Sequence, residues 1–283
     1  MQWYPAPAKL NLFLHVLGRR ADGYHLLQSV FRMIDRCDRV GIAPRTDGVL
    51  RRVVEVPGVP EEADLCLRAA HALRARARET LGPAASRLGA DLSLDKVLPL
   101  GGGLGGGSSD AATVLRVLNR LWATRLAPQE LAALALALGA DVPFFVLGEN
   151  ALGEGVGEVL RPLALPPAWY LVLEPQVTVS TKEIFADPAL TRNTKPLKIP
   201  PFFRGLGHND LEPVVTARYP EVAARLHWLR RQCPQARMTG SGACVFAEFE
   251  TEAEAHALHS RLPETCTGFV ARGLDRHPLD TAS

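Results

Sequence analysis

The sequence has 283 residues, of which 47% are hydrophobic and 22% charged, and its formal net charge is +2. A chain of this size and composition can bury a substantial core, which predicts two domains, with one large α/β unit as the alternative. Its basic residues are dispersed, and Arg68, Arg74, Arg76 and Arg78 point in several directions around a predicted helix. This pattern is typical of a solvated surface. It excludes a nucleic-acid or membrane-surface partner and predicts a small-molecule one.

The cysteines and the N-terminal apolar run bear on the cellular compartment. The five cysteines are odd in number, widely spread and form no Cys-x-x-Cys pair, which argues against disulfides and zinc. The apolar run Leu10–Leu17 is interrupted by Asn11 and His15, and no basic segment or cleavage site frames it. No run reaches the ~18 apolar residues that a membrane span needs. We expect a cytoplasmic protein that is a monomer or a weak homodimer.

Strands dominate the beginning of the chain. Lys9–Val16 alternates polar and apolar residues with the period of a half-buried strand, so that Lys9 and Asn11 emerge on one face. Gly18–Gly23 has the composition of a turn. Three further apolar runs predict antiparallel strands near Leu26–Ile34, Arg39–Ile42 and Leu50–Val56.

Helices and one strand follow, and the second half has its own pattern. The predicted elements are a helix at Glu62–Thr80, a strand at Asp91–Leu94, helices at Ala111–Trp122 and from Pro128 to Gly139, a strand at Tyr170–Leu173, a helix at Pro220–Arg231, a turn and buried strand within Arg237–Phe249, and a strand at Gly268–Leu274. Thr251 and Glu254 form a capping box for one more helix. Prolines at 162, 166 and 167 indicate a linker, and we predict an α+β fold of two domains, 1–158 and 159–283.

A glycine-rich turn carries the first chemical signal. Six glycines occupy the seven residues Gly101–Gly107, and because each costs backbone entropy, close approach of the backbone to a ligand explains them better than a linker does. The turn leads into a helix that we expect to begin at Ser108 and Ser109. Free amide groups and the positive end of the helix dipole converge there, which predicts a phosphate site.

Known phosphate-binding motifs fit this turn poorly. Gly101, Gly103 and Gly106 match G-x-G-x-x-G, but Pro99 stands where a dinucleotide-binding fold would have its buried strand. No lysine follows the last glycine as a Walker A motif requires, and the protein-kinase landmarks are missing. A separate nucleotide-binding design remains. A nicotinamide-dependent oxidoreductase and a nucleotide-binding protein without catalysis stay open as alternatives at this point.

Four segments resemble the GHMP kinase superfamily, which includes galactokinase, homoserine kinase and mevalonate kinase. The segment at 99–109 resembles its phosphate loop, and the one at 237–246 resembles its third motif. Residues 7–25 and 138–145 look like the family of 4-diphosphocytidyl-2-C-methyl-D-erythritol kinases, of the non-mevalonate route to isoprenoids. These segments keep their order and cover nearly the whole chain.

The resemblance implies a fold and a reaction. The fold would have an N-terminal ATP-binding domain and a C-terminal substrate-side domain, with the active site in the cleft between them. The reaction would be phosphorylation of the substrate's 2-hydroxyl by ATP with Mg²⁺, giving the 2-phosphate and ADP. Another small-molecule kinase of the superfamily is the alternative within this class.

The resemblance also assigns catalytic roles. Asp141 follows the helix that ends at Gly139 and precedes the apolar, predicted buried run Val142–Val146. Spacing alone is typical of a turn-forming aspartate, whereas the resemblance implies the catalytic base. Lys9 resembles the catalytic lysine, which would keep the aspartate ionised and stabilise an alkoxide. Taken alone, Lys9 would be an exposed edge-strand lysine.

Further residues are implied to bind the substrate. Tyr24 and His25 resemble the cytidine-binding pair, and Phe185 resembles the aromatic residue on the other side of the base. Outside this frame, Phe185 would be a core residue and His25 a surface histidine. Asn11 would orient the hydroxyl. Gly240 and Ser241 lie in a second small-residue turn that could contact the phosphates.

The remaining expectations concern ATP and the metal. The predicted ATP-binding residues are Leu65, Lys96, Pro99, Leu100, Gly101, Gly102, Gly103, Leu104, Gly105, Gly106, Gly107, Ser108 and Ser109. The Mg²⁺ ligands are unknown, with Ser108 or Ser109 as candidates beside ATP itself. Asp64 departs from the asparagine that the resemblance implies before Leu65. Asp110 would repel phosphate unless it faces away or approaches the metal.

Overall fold

Two long strands organise the chain. The computed structural model describes residues 1–199 and 205–281. In it, β1 (Gln2–Arg19) and β2 (His25–Arg45) pair as an antiparallel hairpin, joined at the predicted turn. Because β1 is buried on both faces between Ala8 and Val16, the prediction of a half-buried strand is wrong. One part of this hairpin packs against helices of the first half, and another part packs against strands of the second half.

The second strand corrects two predictions. The runs at 26–34 and 39–42 belong to one continuous strand, β2, in which a register shift opposite Pro7 and Ala8 absorbs the polar residues between them. A bulge of this kind bends a strand without ending it. The run at 50–56 forms only the short strand β3 (Leu50–Arg52), which pairs with β4 (Gly89–Asp95) in parallel, where an antiparallel strand was expected.

The helices of the first half cover the sheet. They are α1 (Leu65–Leu81), α2 (Gly106–Leu121), α3 (Pro128–Leu138) and α4 (Val142–Leu147), with short 3-10 turns at Glu61–Ala63 and Gly82–Arg87. Small residues such as Ala69, Ala70, Ala111 and Ala112 are fully buried in this layer. They let α1 and α2 lie close together, and the larger Phe144 is fully buried in the same core.

The second half repeats the alternation of strands and helices. Its elements are β5 (Ala151–Gly155), β6 (Val159–Pro162), β7 (Trp169–Leu173), α5 (Thr181–Ala186), α6 (Glu212–Arg218), α7 (Pro220–Gln232), β8 (Arg237–Met238), β9 (Val245–Phe249), α8 (Glu252–His259), β10 (Gly268–Leu274) and α9 (Pro278–Thr281). The predicted capping box is confirmed, because the Thr251 hydroxyl accepts from the Glu254 amide and the Glu254 carboxylate accepts from the Thr251 amide.

One sheet runs through both halves. Its strand order is β3-β4-β2-β10-β7-β9-β8, with β1 and β5 also paired to β2 and with β6 paired to β5. The strand β10 joins the halves because it pairs with β2 at Gly273 and Leu274 and with β7 along its first residues. The hairpin of β5 and β6 spans residue 158, so the domain division at that point stays a prediction.

The cysteines and the helices bear on two earlier expectations. All five cysteines are free, in agreement with the prediction that the chain forms no disulfide. Within residues 1–199 and 205–281, no helix has the length and the apolar character needed to cross a bilayer.

Candidate active site

The glycine turn ends at a helix that has free amide groups. The helix α2 begins at Gly106, two residues before the predicted start, with Gly105 at a φ of 71° as its N-cap and no side-chain cap. The Ser109 amide already bonds the Gly105 carbonyl, at 2.9 Å. The amides of Gly106, Gly107 and Ser108 therefore have no partner within the helix and can bind an anion.

A second turn, from the other half of the chain, holds the glycine turn in place. The amides of Ala243 and Cys244 donate to the carbonyls of Gly101 and Gly102, at 3.2 and 3.1 Å. A Cβ atom on Gly103 would lie 2.3 Å from the Thr239 carbonyl oxygen, so only glycine allows this approach. The glycine turn is thus held against the segment that joins β8 and β9.

Lys9 and Asp141 meet beside this loop. The Lys9 ammonium lies 3.3 Å from Asp141 Oδ2 and donates to Asn11 Oδ1 at 2.5 Å. The Lys9 amide donates to the Leu104 carbonyl at 2.9 Å, and a Cβ atom on Gly105 would lie 3.1 Å from Lys9 Cε. A buried ammonium, a carboxylate and the free helix end therefore share one small volume.

The structure also shows how Asp141, which spacing alone predicts to be a turn-forming aspartate, is placed. Asp141 stands at the N-cap position of α4, but its backbone is helical and its side chain caps no amide. The carboxylate is about one third exposed, toward the cleft that it lines. Asp141 lies in a turn, and its carboxylate contacts Lys9. Lys9 is only 3% exposed, so it is not an exposed edge-strand lysine.

Asn11 is fixed from two sides. Its backbone amide donates to Thr239 Oγ1 at 2.9 Å, and its side-chain amide donates to Ser29 Oγ at 2.7 Å. The Asn11 carbonyl oxygen accepts from Lys9, so the orientation of the side-chain amide follows from its partners. Because Lys9 and Asn11 are two residues apart on β1, they emerge on the same face, as the sequence predicts.

Lys96 and two aspartates form an ionic cluster under the helix start. Lys96 Nζ lies 2.5 Å from Asp38 Oδ2 and 2.7 Å from Asp110 Oδ2. The other Asp38 oxygen accepts from the amides of Val97 and Leu98, at 2.6 and 2.8 Å. Burial, together with the Asp38 charge, outweighs Lys96 and raises the pKa of Asp110 to about 7. The Asp110 carboxylate is thus engaged by Lys96, which removes the predicted conflict with phosphate.

Asp64 has a local structural role. One oxygen of its side chain accepts from the amides of Cys66 and Leu67 at the start of α1, and the other accepts from Arg52 at 3.0 Å. Aspartate serves as an N-cap as well as asparagine does, which accounts for the departure from the expected residue. The neighbouring Leu65 lines the cleft.

An aromatic pair marks the other end of the cleft. The rings of His25 and Phe185 have centroids 5.0 Å apart and planes at 34°, although these residues come from different halves of the chain. Tyr24 is 65% exposed beside them. Such a pair of flat faces, with a third aromatic ring nearby, is suited to a planar base.

The sequence-predicted site residues line a single cleft of about 760 Å³, with one exception. The exception is Ser109, whose side chain is fully buried away from the cleft. Because the helix begins at Gly106, Ser109 falls on its core-facing side. Ser109 is therefore not part of the proposed site.

Several cleft residues were not found from the sequence. Thr181 and Lys182, at the start of α5, line the cleft. Ser180 is the N-cap of this helix, and a serine at that position is a sequence signal that could have located the start of the helix. Asp38 and Arg192 act on site residues from outside the cleft. Neither Asp38 nor Arg192 stands in a motif, and each meets its partner only in the folded chain.

Comparison with known proteins gives a consistent result. Residues 64–149 match the model of the GHMP kinases N terminal domain, and residues 200–268 match that of the GHMP kinases C terminal domain. The 4-diphosphocytidyl-2-C-methyl-D-erythritol kinase of Thiobacillus denitrificans is 62% identical over 98% of this chain and 97% of its own length. The kinase of the same name from Nitrosospira multiformis is 59% identical over 97% of this chain and 92% of its own length.

Solved structures give the same picture. The crystal structure of 4-(cytidine 5'-diphospho)-2C-methyl-D-erythritol kinase superposes with a TM-score of 0.77 at 32% identity, over 96% of this chain and 99% of that one. Homoserine kinase from Cytophaga hutchinsonii, at 17% identity and a TM-score of 0.65 over 97% of this chain and 94% of its own, shares the fold. The chain therefore belongs to the GHMP kinases, in the 4-diphosphocytidyl-2-C-methyl-D-erythritol kinase family.

Proposed function

We propose that this protein transfers the γ-phosphate of ATP to the 2-hydroxyl of 4-diphosphocytidyl-2-C-methyl-D-erythritol. The contact between Lys9 and Asp141, 3.3 Å apart beside a helix end with free amides, is the observation that carries the proposal. A phosphoryl transfer needs a proton acceptor, a cation and a phosphate cradle close together, and this cleft offers all three. The names of the relatives point to the same substrate.

Asp141 acts as the general base in this proposal. Its carboxylate takes the proton from the substrate hydroxyl while the oxygen attacks the γ-phosphorus, and the bond to the bridging oxygen of ADP breaks. Lys9 stabilises the negative charge that develops on the attacking oxygen, in a site where burial strengthens electrostatic interactions. Asn11 receives one Lys9 hydrogen bond and so holds the ammonium in position.

The glycine turn binds the phosphates. The amides of Gly106, Gly107 and Ser108 face the anion, together with the positive end of the α2 dipole. Lys96 lies at the base of this turn, since a Cβ atom on Gly106 would be 3.3 Å from its ammonium. With Leu65, it would form the adenine side of the pocket.

The residues present fit a Mg²⁺ ion that arrives with ATP. Mg²⁺ is held in kinases largely by substrate phosphates and few protein oxygens, and it neutralises phosphate charge when bound. Among residues 1–199 and 205–281, no group of three or more His, Cys, Asp or Glu side chains could hold a metal by itself. We propose the hydroxyl of Ser108, which lines the cleft, as the protein ligand.

The aromatic end of the cleft holds the cytosine. Phe185 and Tyr24 contribute flat faces to a base between them, and His25 contributes a polar edge. Gly240 and Ser241 line the cleft between this end and the glycine turn, where the diphosphate of the substrate would lie. The Ser241 and Thr181 hydroxyls are 2.6 Å apart, which holds the serine side chain in place.

A labelled-phosphate assay tests the proposal. With γ-labelled ATP, label should pass to 4-diphosphocytidyl-2-C-methyl-D-erythritol and not to galactose, homoserine or mevalonate tested beside it. ATP should also raise the melting temperature while NAD leaves it unchanged, which separates a kinase from an oxidoreductase. Transfer to another alcohol of the panel, or to none, would refute the proposed substrate.

The variant Asp141→Asn tests the assigned base. It should lose roughly 10²–10⁴ in turnover, because the amide cannot accept the proton. ATP binding, measured by calorimetry, should be unchanged, since Asp141 contacts the hydroxyl and not the nucleotide. Turnover near that of the unmodified protein would remove Asp141 from this role.

A further inference from the structure

A single guanidinium group, that of Arg192, joins the two halves of the aromatic pair. Its Nε donates to His25 Nε2 at 3.1 Å. Its Nη2 donates to the carbonyls of Phe185 and Asp187, at 3.0 and 2.7 Å, and its Nη1 donates to the Leu190 carbonyl at 3.0 Å. Four hydrogen bonds thus fix this side chain, although no motif in the sequence contains it.

The first of these bonds sets the tautomer of His25. A guanidinium has only donors, so the nitrogen that faces it must be an acceptor. A neutral imidazole that accepts at Nε2 carries its proton on Nδ1. Burial, with the positive charges of Arg192 and Arg19, lowers the pKa of His25, which keeps the ring neutral near pH 7.

The other three bonds set the position of Phe185. They hold the end of α5 and the residues that follow it, and the Thr194 amide ties the same segment to β1 through the Val16 carbonyl at 3.1 Å. The His25 ring, 9% exposed on β2, and the Phe185 ring therefore keep their separation of 5.0 Å through one shared side chain. His25 also lines the cleft, so its Nδ1 proton can serve a ligand there.

We propose that Arg192 is a positioning residue that makes the cleft select cytosine over uracil, by holding His25 as a fixed Nδ1–H donor. A donor at the N3/O2 edge meets two acceptors in cytosine. In uracil the same edge presents the N3–H donor beside one acceptor, so two donors would face each other. Discrimination then comes from a repulsive contact as well as from an attractive one. This inference rests on the proposed function only for the identity of the base.

The tautomer can be observed without any substrate. In protein labelled with ¹⁵N-histidine, the imidazole nitrogen shifts of His25 near pH 7.5 should show a protonated Nδ1 and an unprotonated Nε2. Arg192→Met, which removes the donor, should increase the Nε2–H form. A protonated Nε2 in the unmodified protein would overturn the inference, as would an unchanged tautomer in the variant.

The selectivity is measured by binding, so that it does not depend on turnover. Titration of 4-diphosphocytidyl-2-C-methyl-D-erythritol and of its uridine counterpart without ATP should show a preference for cytosine of about ten- to a hundredfold, the scale of one buried hydrogen bond. Arg192→Met should lose most of this preference while its ATP affinity stays unchanged. An equal preference in both proteins would overturn the inference.

Two further variants separate positioning from folding. Arg218→Met is the matched control, because Arg218 pairs with Asp187 in the same segment but does not contact His25, and it should keep the cytosine preference. Arg192→Lys keeps one donor without the fork, so it should keep the preference while binding both compounds more weakly. Loss of the cytosine preference in Arg218→Met would show that the preference depends on the whole segment after α5. That result would refute a specific role of Arg192. If cytosine preference and tautomer hold but no phosphate is transferred, the proposed function fails and this inference stands.

Discussion

Replacing Gly103 with alanine tests the close contact between the phosphate loop and the turn of the second half. Gly103 has a φ of 76°, and an added Cβ would lie 2.3 Å from the Thr239 carbonyl oxygen and 3.0 Å from that of Gly242. Ordinary contacts begin at 3.4 Å, so the two segments would have to separate by roughly 1 Å. Both are backbone and cannot rotate away.

The expected loss of stability in Gly103→Ala has two parts, which a matched variant separates. Gly58 has nearly the same φ, 78°, but an added Cβ there meets nothing within 4 Å. Gly58→Ala should therefore cost only the left-handed backbone strain, about 1–2 kcal/mol. Gly103→Ala should cost this amount and about 1–3 kcal/mol more for the forced contact. Because the helix end moves with the loop, kcat/KM for ATP should fall by up to about 10²-fold.

Urea unfolding and steady-state kinetics check both effects. The unfolding free energies of the two variants should differ, and only Gly103→Ala should change the kinetics with ATP. Equal destabilisation of the two variants, with ATP kinetics like those of the unmodified protein, would refute the reasoning. It would mean that the loop position does not depend on its contact with Thr239.

Three other predictions concern the stacking of the cytosine base, the loss of stability at acidic pH and the N-cap of α1. Phe185→Ala should weaken binding of the cytidylyl substrate by about 1–3 kcal/mol in calorimetry, the scale of base stacking, and leave ATP binding unchanged. Burial, with the charge of Arg116, lowers the pKa of His277 from 6.5 to about 3, so stability should fall as pH drops below 6.5, by up to about 1.4 kcal/mol per unit. In His277→Gln this acid-dependent loss should disappear from urea curves at pH 7 and 5. Asp64→Ala should cost about 1–2 kcal/mol for the lost cap of α1, and more because Arg52 loses its partner.

Each of these three has a result that contradicts it. Weaker ATP binding alone in Phe185→Ala would mean that the two pockets are assigned the wrong way round. An unchanged pH dependence in His277→Gln would show that other groups cause the acid loss. Asp64→Asn is the matched control for the cap, since asparagine accepts from the same amides. If it unfolds as easily as Asp64→Ala, then the ion pair with Arg52 and not the cap stabilises this region.

The phosphate loop shows how much a local pattern can determine. Six glycines before an amphipathic helix predict free amides whatever the rest of the chain does, because the cause lies in neighbouring residues. The helix from Pro128 to Gly139, the capping box at Thr251 and the strand Gly268–Leu274 were found in the same way. The family resemblance added the proposed base Asp141, Lys9 and the aromatic residues. Spacing alone would have predicted a turn former for Asp141, an edge-strand lysine for Lys9 and a core residue for Phe185.

The sequence alone thus determined the local elements and, through its motifs, the residues that the cleft brings together. Only the tertiary structure decided which partners fix them: Asp141 against Lys9, Asp38 and Asp110 against Lys96, and Arg192 against His25. It also decided that β2 is one strand and that β1 is buried on both faces. The physical reason is distance along the chain: caps, turns and periodicity act between neighbours, whereas these contacts join residues far apart in sequence that meet only in the folded chain.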